Sequence, residues 1–252
     1  MVSFAVGADD PGTGEDEWSS WGGLDGLAPL EGRPAHVVVV APHPDDEVLG
    51  AGGLMQAAGR WGATVEVVAV TDGEAAPVAG VSGAAGRRAL GARRVEERAA
   101  ALERLTGTSE GRPSAVHRLG LPDGAVAGGE EALRVDLAGR LGPEACCVAP
   151  WSGDGHPDHE AAGRAAEDAA AATGATLWAY PVWTWHWARP ADPSVPWDRA
   201  RRLEVGAHDL ARKRSALEAF VSQIDTAPAG GAPVLPVAFL AHFLRPFEVF
   251  VV

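Results

Sequence analysis

Four consecutive β-branched residues, Val37 to Val40, run into Ala41-Pro42 and then at once into His43, Asp45, Asp46 and Glu47. An unbroken apolar run of this kind suits a strand buried on both faces of a parallel sheet, since alternate side chains must all meet nonpolar neighbours. Pro42 ends the run, so the four ionisable groups fall beyond the carboxyl end of the strand, where open α/β sheets keep their ligands. Charge buried there is costly without a counter-ion. With Pro44 opening a helix that continues through Met55, His43 and Asp46 are expected on one face of its first turn, able to reach one cation together, while Asp45 points elsewhere.

A second stretch has the same grammar. The apolar run from Glu144 to Pro150 also ends in Ala-Pro, and after the turn from Trp151 to Gly155 come His156, Pro157, Asp158 and His159, then an alanine-rich run to Ala172. Two such ends meeting at one sheet edge would bring His43, Asp46 and His159 together as a two-histidine, one-carboxylate set, which leaves a metal an open position for water. Helix capping is the plain alternative, because acidic residues in a first turn are favoured by the helix dipole without any metal. It is strongest for Glu47 and Asp158, and it does not account for two copies that are each rich in His and Asp.

The sequence A-P-H-P-D-D-E at 41 to 47 together with G-H-P-D-H at 155 to 159 resembles the PIG-L/LmbE-like (GlcNAc-PI de-N-acetylase-like) family of zinc-dependent de-N-acetylases. T-D-G-E at 71 to 74 and L-G-L-P-D-G at 119 to 124 extend the resemblance over most of the chain from Ala35 onward. The resemblance implies metal ligation by His43, Asp46 and His159, with Asp45 as general base. It implies that His156 stabilises the reacting oxygen with Asp158 beside it, and that an arginine at a helix start binds substrate; Arg87, Arg88, Arg93 and Arg94 are all available for that role. The expected cofactor is Zn2+, with Fe2+ or another divalent ion as alternatives. The expected reaction removes an N-acyl group, chiefly N-acetyl, from an amino sugar or sugar-containing small molecule. Two rivals are a non-haem iron oxygenase using a His/Asp/His triad and a metal-binding pseudoenzyme. A nucleotide-binding reading of Gly50 to Gly53 is disfavoured, because those glycines fall after the helix has begun and the acidic cluster would repel phosphate.

Further strands are expected at Thr64–Val70, Ala115–Leu119, Cys146–Ala149 and Leu177–Tyr180, alternating with helices at Arg87–Leu105, Glu130–Leu141 and Glu160–Ala172. That alternation means βαβ units: a Rossmann-like, mostly parallel sheet flanked by helices, with the metal site at the carboxyl ends of the strands. Residues 1–34 form an irregular acidic arm, anchored where Trp18, Trp21, Leu24, Leu27 and Leu30 recur every three residues, and residues 35–252 a single domain. The small-residue loop from Pro77 to Gly86 is placed to act as a lid. Trp183, Trp185 and Trp187 alternate, so an extended chain would set them on one face, with at least two serving as core or wall. A helix near Leu210–Phe220, a Gly/Pro-rich loop at Pro228–Pro236 and a terminal strand at Phe247–Val252 complete the chain, with His242 packing rather than reacting.

With 21 basic and 34 acidic residues, the formal net charge of −13 argues against nucleic acid and anionic membranes as partners and for a neutral small molecule. The arginines at 199–202 and 212–214 are broken by acids and are expected to line helices. Cys146 and Cys147, adjacent in a buried strand, point to opposite faces, so no disulfide is expected, as fits a reducing cytosol. No signal-peptide pattern or apolar run long enough to span a bilayer occurs, and a cytoplasmic location is expected. No feature sets the oligomeric state.

Overall fold

The computed structural model describes residues 11–78, 80–107, 113–225 and 233–252. In chain order the elements are α1 (Glu15–Ser19), β1 (Ala28–Pro29), β2 (His36–Ala41), α2 (Asp46–Arg60), β3 (Thr64–Ala69), α3 (Gly83–Thr106), β4 (Ala115–Arg118), α4 (Glu130–Ala138), β5 (Ala145–Pro150), α5 (Pro157–Thr173), β6 (Thr176–Tyr180), α6 (Thr184–Trp187), β7 (Ala200–Glu204), α7 (Ala207–Leu217), α8 (Val221–Ile224), α9 (Val237–Ala241) and β8 (Phe247–Val251). The eight strands of the described residues join one sheet in the order β1-β7-β8-β6-β5-β2-β3-β4. Every pairing is parallel except those of β8, which runs antiparallel to both β6 and β7. The mostly parallel, helix-flanked sheet expected from the alternation is therefore present.

The valine run explains the layering. Val37 and Val39 face a core shared with Val65, Val67, Cys146 and Val148 and with residues of α2, α3 and α7. Val38 and Val40 face the opposite core with Val68, Cys147 and Ala149, covered by α4 and α5. All four valines are fully buried, and each such burial contributes about 1.5–3 kcal/mol. The two cysteines follow the same alternation into opposite cores.

Helix α2 lies unusually close to the sheet. A Cβ on Gly50 would stand 2.0 Å from the Tyr180 ring and one on Gly53 2.5 Å from Val205, so this glycine run serves packing, not phosphate. Into the gap at Gly53 reaches Glu248, which accepts from the Gly53 and Leu54 N–H groups at 2.6 and 2.9 Å and from Lys213 Nζ at 2.6 Å.

Strands β2 and β5 are neighbours, paired from His36↔Ala145 to Val39↔Val148. From β2 the chain crosses to β3 on one side, and from β5 to β6 on the other. That reversal opens a crevice at the carboxyl ends of the two strands, which brings both His-Pro-Asp motifs to one place.

Three expectations are corrected. Residues 184–187 form a helical turn, not an extended strand, so the three tryptophans do not share a face: Trp185 enters the core while Trp183 and Trp187 are half-buried. Arg201 and Arg202 lie on β7 rather than on a helix, with Arg202 over the Phe247 ring at 3.9 Å. Helix α3 begins at Gly83, so the last four residues of the expected lid form its first turn. Residue 79 of that loop, residues 228–232 of the Gly/Pro-rich loop and residues 1–10 of the arm lie outside the described residues. In the rest of the arm Trp18 is fully buried, and Ala28 and Pro29 pair with β7 at the sheet edge. Among the described residues no helix is long and apolar enough to cross a membrane.

Candidate metal centre

The helix after β2 begins at Asp46 rather than Pro44, because Asp45 takes a non-helical backbone at φ 142°, ψ −31°. A non-glycine residue in that region costs about 1–3 kcal/mol and persists only where its surroundings impose it. Here the Asp45 carbonyl accepts from the N–H groups of Val48 and Leu49, both at 2.8 Å, and its own N–H donates to Glu47 Oε2 at 3.3 Å. Glu47, fully buried, is in turn bound by Arg98 Nε at 3.3 Å, so more than dipole complementarity keeps it there. Gln223 Nε2 donates to the Pro44 carbonyl and fixes the loop from the other side. His43 and Asp46 still converge, through the loop, with the His43 N–H donating to Asp46 Oδ2 at 2.8 Å.

His159, in the first turn of α5, completes the set. His43 Nδ1 stands 3.2 Å from Asp46 Oδ2 and 3.2 Å from His159 Nε2, and His159 Nε2 stands 3.3 Å from Asp46 Oδ2. The far nitrogens identify the near ones. His159 Nδ1 donates to Asp154 Oδ2 at 2.7 Å, and His43 Nε2 faces Asp158 Oδ2 at 3.3 Å and Asp123 Oδ1 at 3.4 Å. With protons on those outer nitrogens, two imidazole lone pairs and a carboxylate oxygen point at one another. Three acceptors on a nearly equilateral triangle repel unless positive charge sits among them. Ligands about 2.0–2.1 Å from a tetrahedral ion lie about 3.3–3.4 Å apart, close to the spacing seen. The residues therefore fit a divalent metal.

The titration behaviour of these groups expresses the same demand for positive charge. Burial opposes a proton on His159, yet Asp46 and Asp154 outweigh it and push the ring up to about 9. Burial likewise opposes charge on His43, but Asp123, Asp158 and Asp46 raise it well above the usual histidine range. Burial alone would raise Asp46, but the His159 and His43 rings hold it well below the usual carboxylate range.

Nothing in the local sequence singles out Asp154, although it is the best-connected acid in the crevice. It is fully buried and, besides His159, accepts from the N–H groups of Val182, Trp183 and Thr184 at 2.8, 3.0 and 3.0 Å and from Thr184 Oγ1 at 2.6 Å. Four fixed donors from the β6–α6 turn thus hold the carboxylate that orients His159.

His156 caps α5, its Nδ1 accepting from the Asp158 N–H at 3.2 Å. Burial, with His159 and His43 nearby, pushes this ring down to about 3, so it stands neutral with its proton on Nε2, not as an imidazolium. His43, His156 and Asp158 also lie close enough to share an ion. Their atoms are otherwise engaged, however, because the Asp158 oxygens accept from the Gly124 and Val126 N–H groups at 2.7 and 3.1 Å. Asp45 is buried, and among the described residues no donor reaches its carboxylate. Burial, Asp46 and Glu47 push its carboxyl well up, with His43 and Arg94 opposing.

Of the four candidate arginines the structure separates Arg94, which is 2% exposed and donates from Nη1 to the Gly73 carbonyl at 2.8 Å. Its Nη2 is buried with no partner among the described residues, in the field of Asp45 and Asp123. Arg87, Arg88 and Arg93 are exposed. Glu74 receives the Asp123 N–H on Oε1 at 3.0 Å and has a buried Oε2 with no partner among the described residues, whereas Asp72 is engaged by Arg118 at 2.6 Å on each oxygen. The wall beyond His156 is aromatic. The Trp183 ring lies nearly parallel to that of His156, with centroids 6.1 Å apart, and Phe239 backs it at 5.1 Å.

A family model described as PIG-L, GlcNAc-PI de-N-acetylase, matches residues 38–170. The 1D-myo-inositol 2-acetamido-2-deoxy-alpha-D-glucopyranoside deacetylase of Rhodococcus opacus (strain B4) is 31% identical over 218 residues, covering 77% of this chain and 67% of that protein. Among solved structures, the N,N'-diacetylchitobiose deacetylase from Pyrococcus horikoshii superposes with a TM-score of 0.58 at 20% identity, covering 76% of this chain and 72% of that one. A 4-carboxy-2-hydroxymuconate hydratase from Pseudomonas putida KT2440 superposes with a TM-score of 0.55 at 20% identity, covering 75% of this chain and 79% of that one. At these identities the likeness to the two solved structures is one of fold, and the same scaffold carries both a deacetylase and a hydratase.

Proposed function

The chain belongs to the PIG-L family of GlcNAc-PI de-N-acetylases, and from that premise we propose that it is a zinc-dependent hydrolase removing the acetyl group from a neutral N-acetyl amino sugar or a small molecule bearing one. The observation that carries the reading is the triangle of His43 Nδ1, Asp46 Oδ2 and His159 Nε2 at 3.2–3.3 Å, with the carboxyl of Asp45 buried beside it. His43, Asp46 and His159 would hold the ion. When bound there, zinc supplies Lewis acidity, lowering the pKa of water and polarising an amide carbonyl.

The chain's own residues handle the protons. Asp45 accepts one at a carboxylate oxygen as water adds to the amide carbon, and its raised affinity for protons lets it hold that proton and then pass it to the leaving nitrogen as the C–N bond breaks, so that amine and acetate depart and the carboxylate is restored. His156, neutral at working pH, donates from Nε2 to the amide oxygen as negative charge builds there. Asp158 and Asp123 hold the outer N–H of His43, and Asp154 that of His159. Arg94 Nη2 and Glu74 Oε2, buried and without partners among the described residues, are the candidates to bind hydroxyls of the sugar, and the Trp183 face offers a wall to its C–H surface. The buried thiols suit a cytoplasmic enzyme. The oxygenase rival uses the same ligand types, but family membership speaks for amide hydrolysis.

The test is incubation of zinc-loaded protein with a panel of N-acetyl amino sugars and their inositol and aryl glycosides, following free amine by fluorescence and acetate by NMR. Stoichiometric amine and acetate from at least one neutral member, absent with His159→Ala, is expected. No amine release across the panel, with oxygen consumed instead, would overturn the reading.

A further inference from the structure

Helix α6 is only four residues long, yet its first residue and the two before it carry the N–H groups that grip Asp154. A helix that short is not stable by itself, and its last carbonyls have no partner within the helix. The N-terminal arm supplies them. Thr13 N–H donates to the His186 carbonyl at 2.8 Å, Thr13 Oγ1 to the Ala188 carbonyl at 2.5 Å, and Trp18 Nε1 to the Trp185 carbonyl at 2.8 Å. The Trp18 ring meets Trp185 edge-on at 5.1 Å. Glu15, between them in sequence, binds His242 Nδ1 at 2.6 Å and Arg245 at 2.5 and 2.7 Å, and Arg245 lies over the Trp185 ring at 4.2 Å. Gly12 lets the arm close on this turn, since a Cβ there would stand 2.3 Å from the His186 ring.

We propose that residues 12–18 are a strap that holds the metal centre in shape from outside it, with Thr13 and Trp18 as positioning residues acting through α6 and Asp154 on His159. Helix α6 is fastened at its N-terminal end by Asp154 and at its C-terminal end by the arm. Loosening the arm frees the turn that carries Val182, Trp183 and Thr184, the Asp154 carboxylate loses fixed donors, and the His159 ring loses the partner that sets its orientation and proton position. Trp183, packed against His156, moves with the same turn. This inference rests on the metal-dependent reading above, but its test needs no substrate.

Zinc affinity is measured on metal-free protein by competition with a chromophoric chelator, for the wild type, Thr13→Val, Trp18→Phe, the double variant and Thr13→Ser. His159→Ala and Leu133→Ala, the latter in the core under the opposite face of the sheet, serve as controls. Thr13→Val removes a hydrogen bond at nearly constant shape, Trp18→Phe removes another together with part of the buried ring, and each is expected to weaken zinc binding about threefold or more, the double about tenfold. Thr13→Ser, which keeps the hydroxyl, should stay within about twofold of wild type, and so should Leu133→Ala despite its lower melting temperature. The downfield imidazole N–H proton of His159, seen by 1H–15N NMR, should broaden in the double variant only. Strap variants that bind zinc as the wild type does, or a Leu133→Ala loss as large as theirs, would overturn the strap. Wild-type binding no tighter than that of His159→Ala would instead bring down the metal reading itself. If Trp18→Phe does not fold, the contrast between Thr13→Val and Thr13→Ser decides.

Discussion

Replacing Asp154 with asparagine changes one atom of a buried carboxylate, and the five hydrogen bonds around that carboxylate determine the consequence. Oδ1 accepts from Val182 N–H, Thr184 N–H and Thr184 Oγ1, and Oδ2 from Trp183 N–H and His159 Nδ1. An asparagine amide can keep its oxygen on only one side. With the oxygen at the Oδ1 position, the NH2 group opposes the Trp183 N–H, which is left without an acceptor at a cost of about 1–3 kcal/mol. With the amide reversed, the N–H groups of Val182 and Thr184 are both stranded, at about twice that cost. The first orientation is therefore preferred, and in it the NH2 group donates to His159 Nδ1. The His159 proton then moves to Nε2, the atom that faces His43 and Asp46, and occupies the lone pair a metal needs. The expected outcome is a loss of about 1–3 kcal/mol in urea unfolding of the metal-free protein. Zinc affinity should fall about 10- to 100-fold in chelator competition, and activity should recover substantially when zinc is made saturating. Zinc affinity within about threefold of wild type, alongside the stability loss, would refute this tautomer account and leave Asp154 as a fastener of α6 alone.

Asp45→Asn should keep zinc affinity and fold but lower kcat by roughly 10²- to 10⁴-fold at saturating metal, because an amide cannot take the proton from water; unchanged turnover would place the base elsewhere. Because Asp46 and Asp154 push His159 up to about 9 against the effect of burial, its ring and that of His43 bind protons that a metal must displace. Apparent zinc affinity should therefore climb from pH 6 towards pH 9 with protons released on binding, and calorimetry in buffers of different ionisation enthalpy would show a flat profile if the rings were already neutral. Burial pushes the Cys147 thiol up to about 12 and raises that of Cys146, so neither should react with a disulfide reagent at pH 8 until the protein is unfolded; fast labelling of native protein would contradict the core packing. Asp45, Asp123 and Glu74 around the crevice should make a neutral N-acetyl amino sugar turn over faster than its multiply phosphorylated counterpart at physiological salt, and the reverse order would mean that Arg94 dominates the local field.

The valine run, the two Ala-Pro stops and the His-Pro-Asp clusters behind them can be read from the chain because each is a local pattern. A strand buried on both faces must be apolar at every position, and a proline must end it, so short-range chemistry determines the two strand ends and the residues delivered there. Even the pairing of the motifs is legible as a symmetry between two stretches. Other features have no local signature. The strained Asp45 backbone depends on Glu47 and on Arg98, 51 residues further along. Asp154 stands in an ordinary-looking polar turn, and the four donors that fix it against His159 come from residues 28 to 30 positions later. Arg94 differs from its three neighbouring candidates only in the direction that α3 turns it. The tryptophan alternation misleads because a four-residue helix is held by its contacts and not by its own propensity, and those contacts come from an arm more than 160 residues earlier. Periodicity records which face of an element is apolar. It cannot record which distant donor will meet a buried carboxylate, because that is set by the order in which the strands join the sheet, and in this fold the order reverses between β2 and β5, where the metal ligands meet.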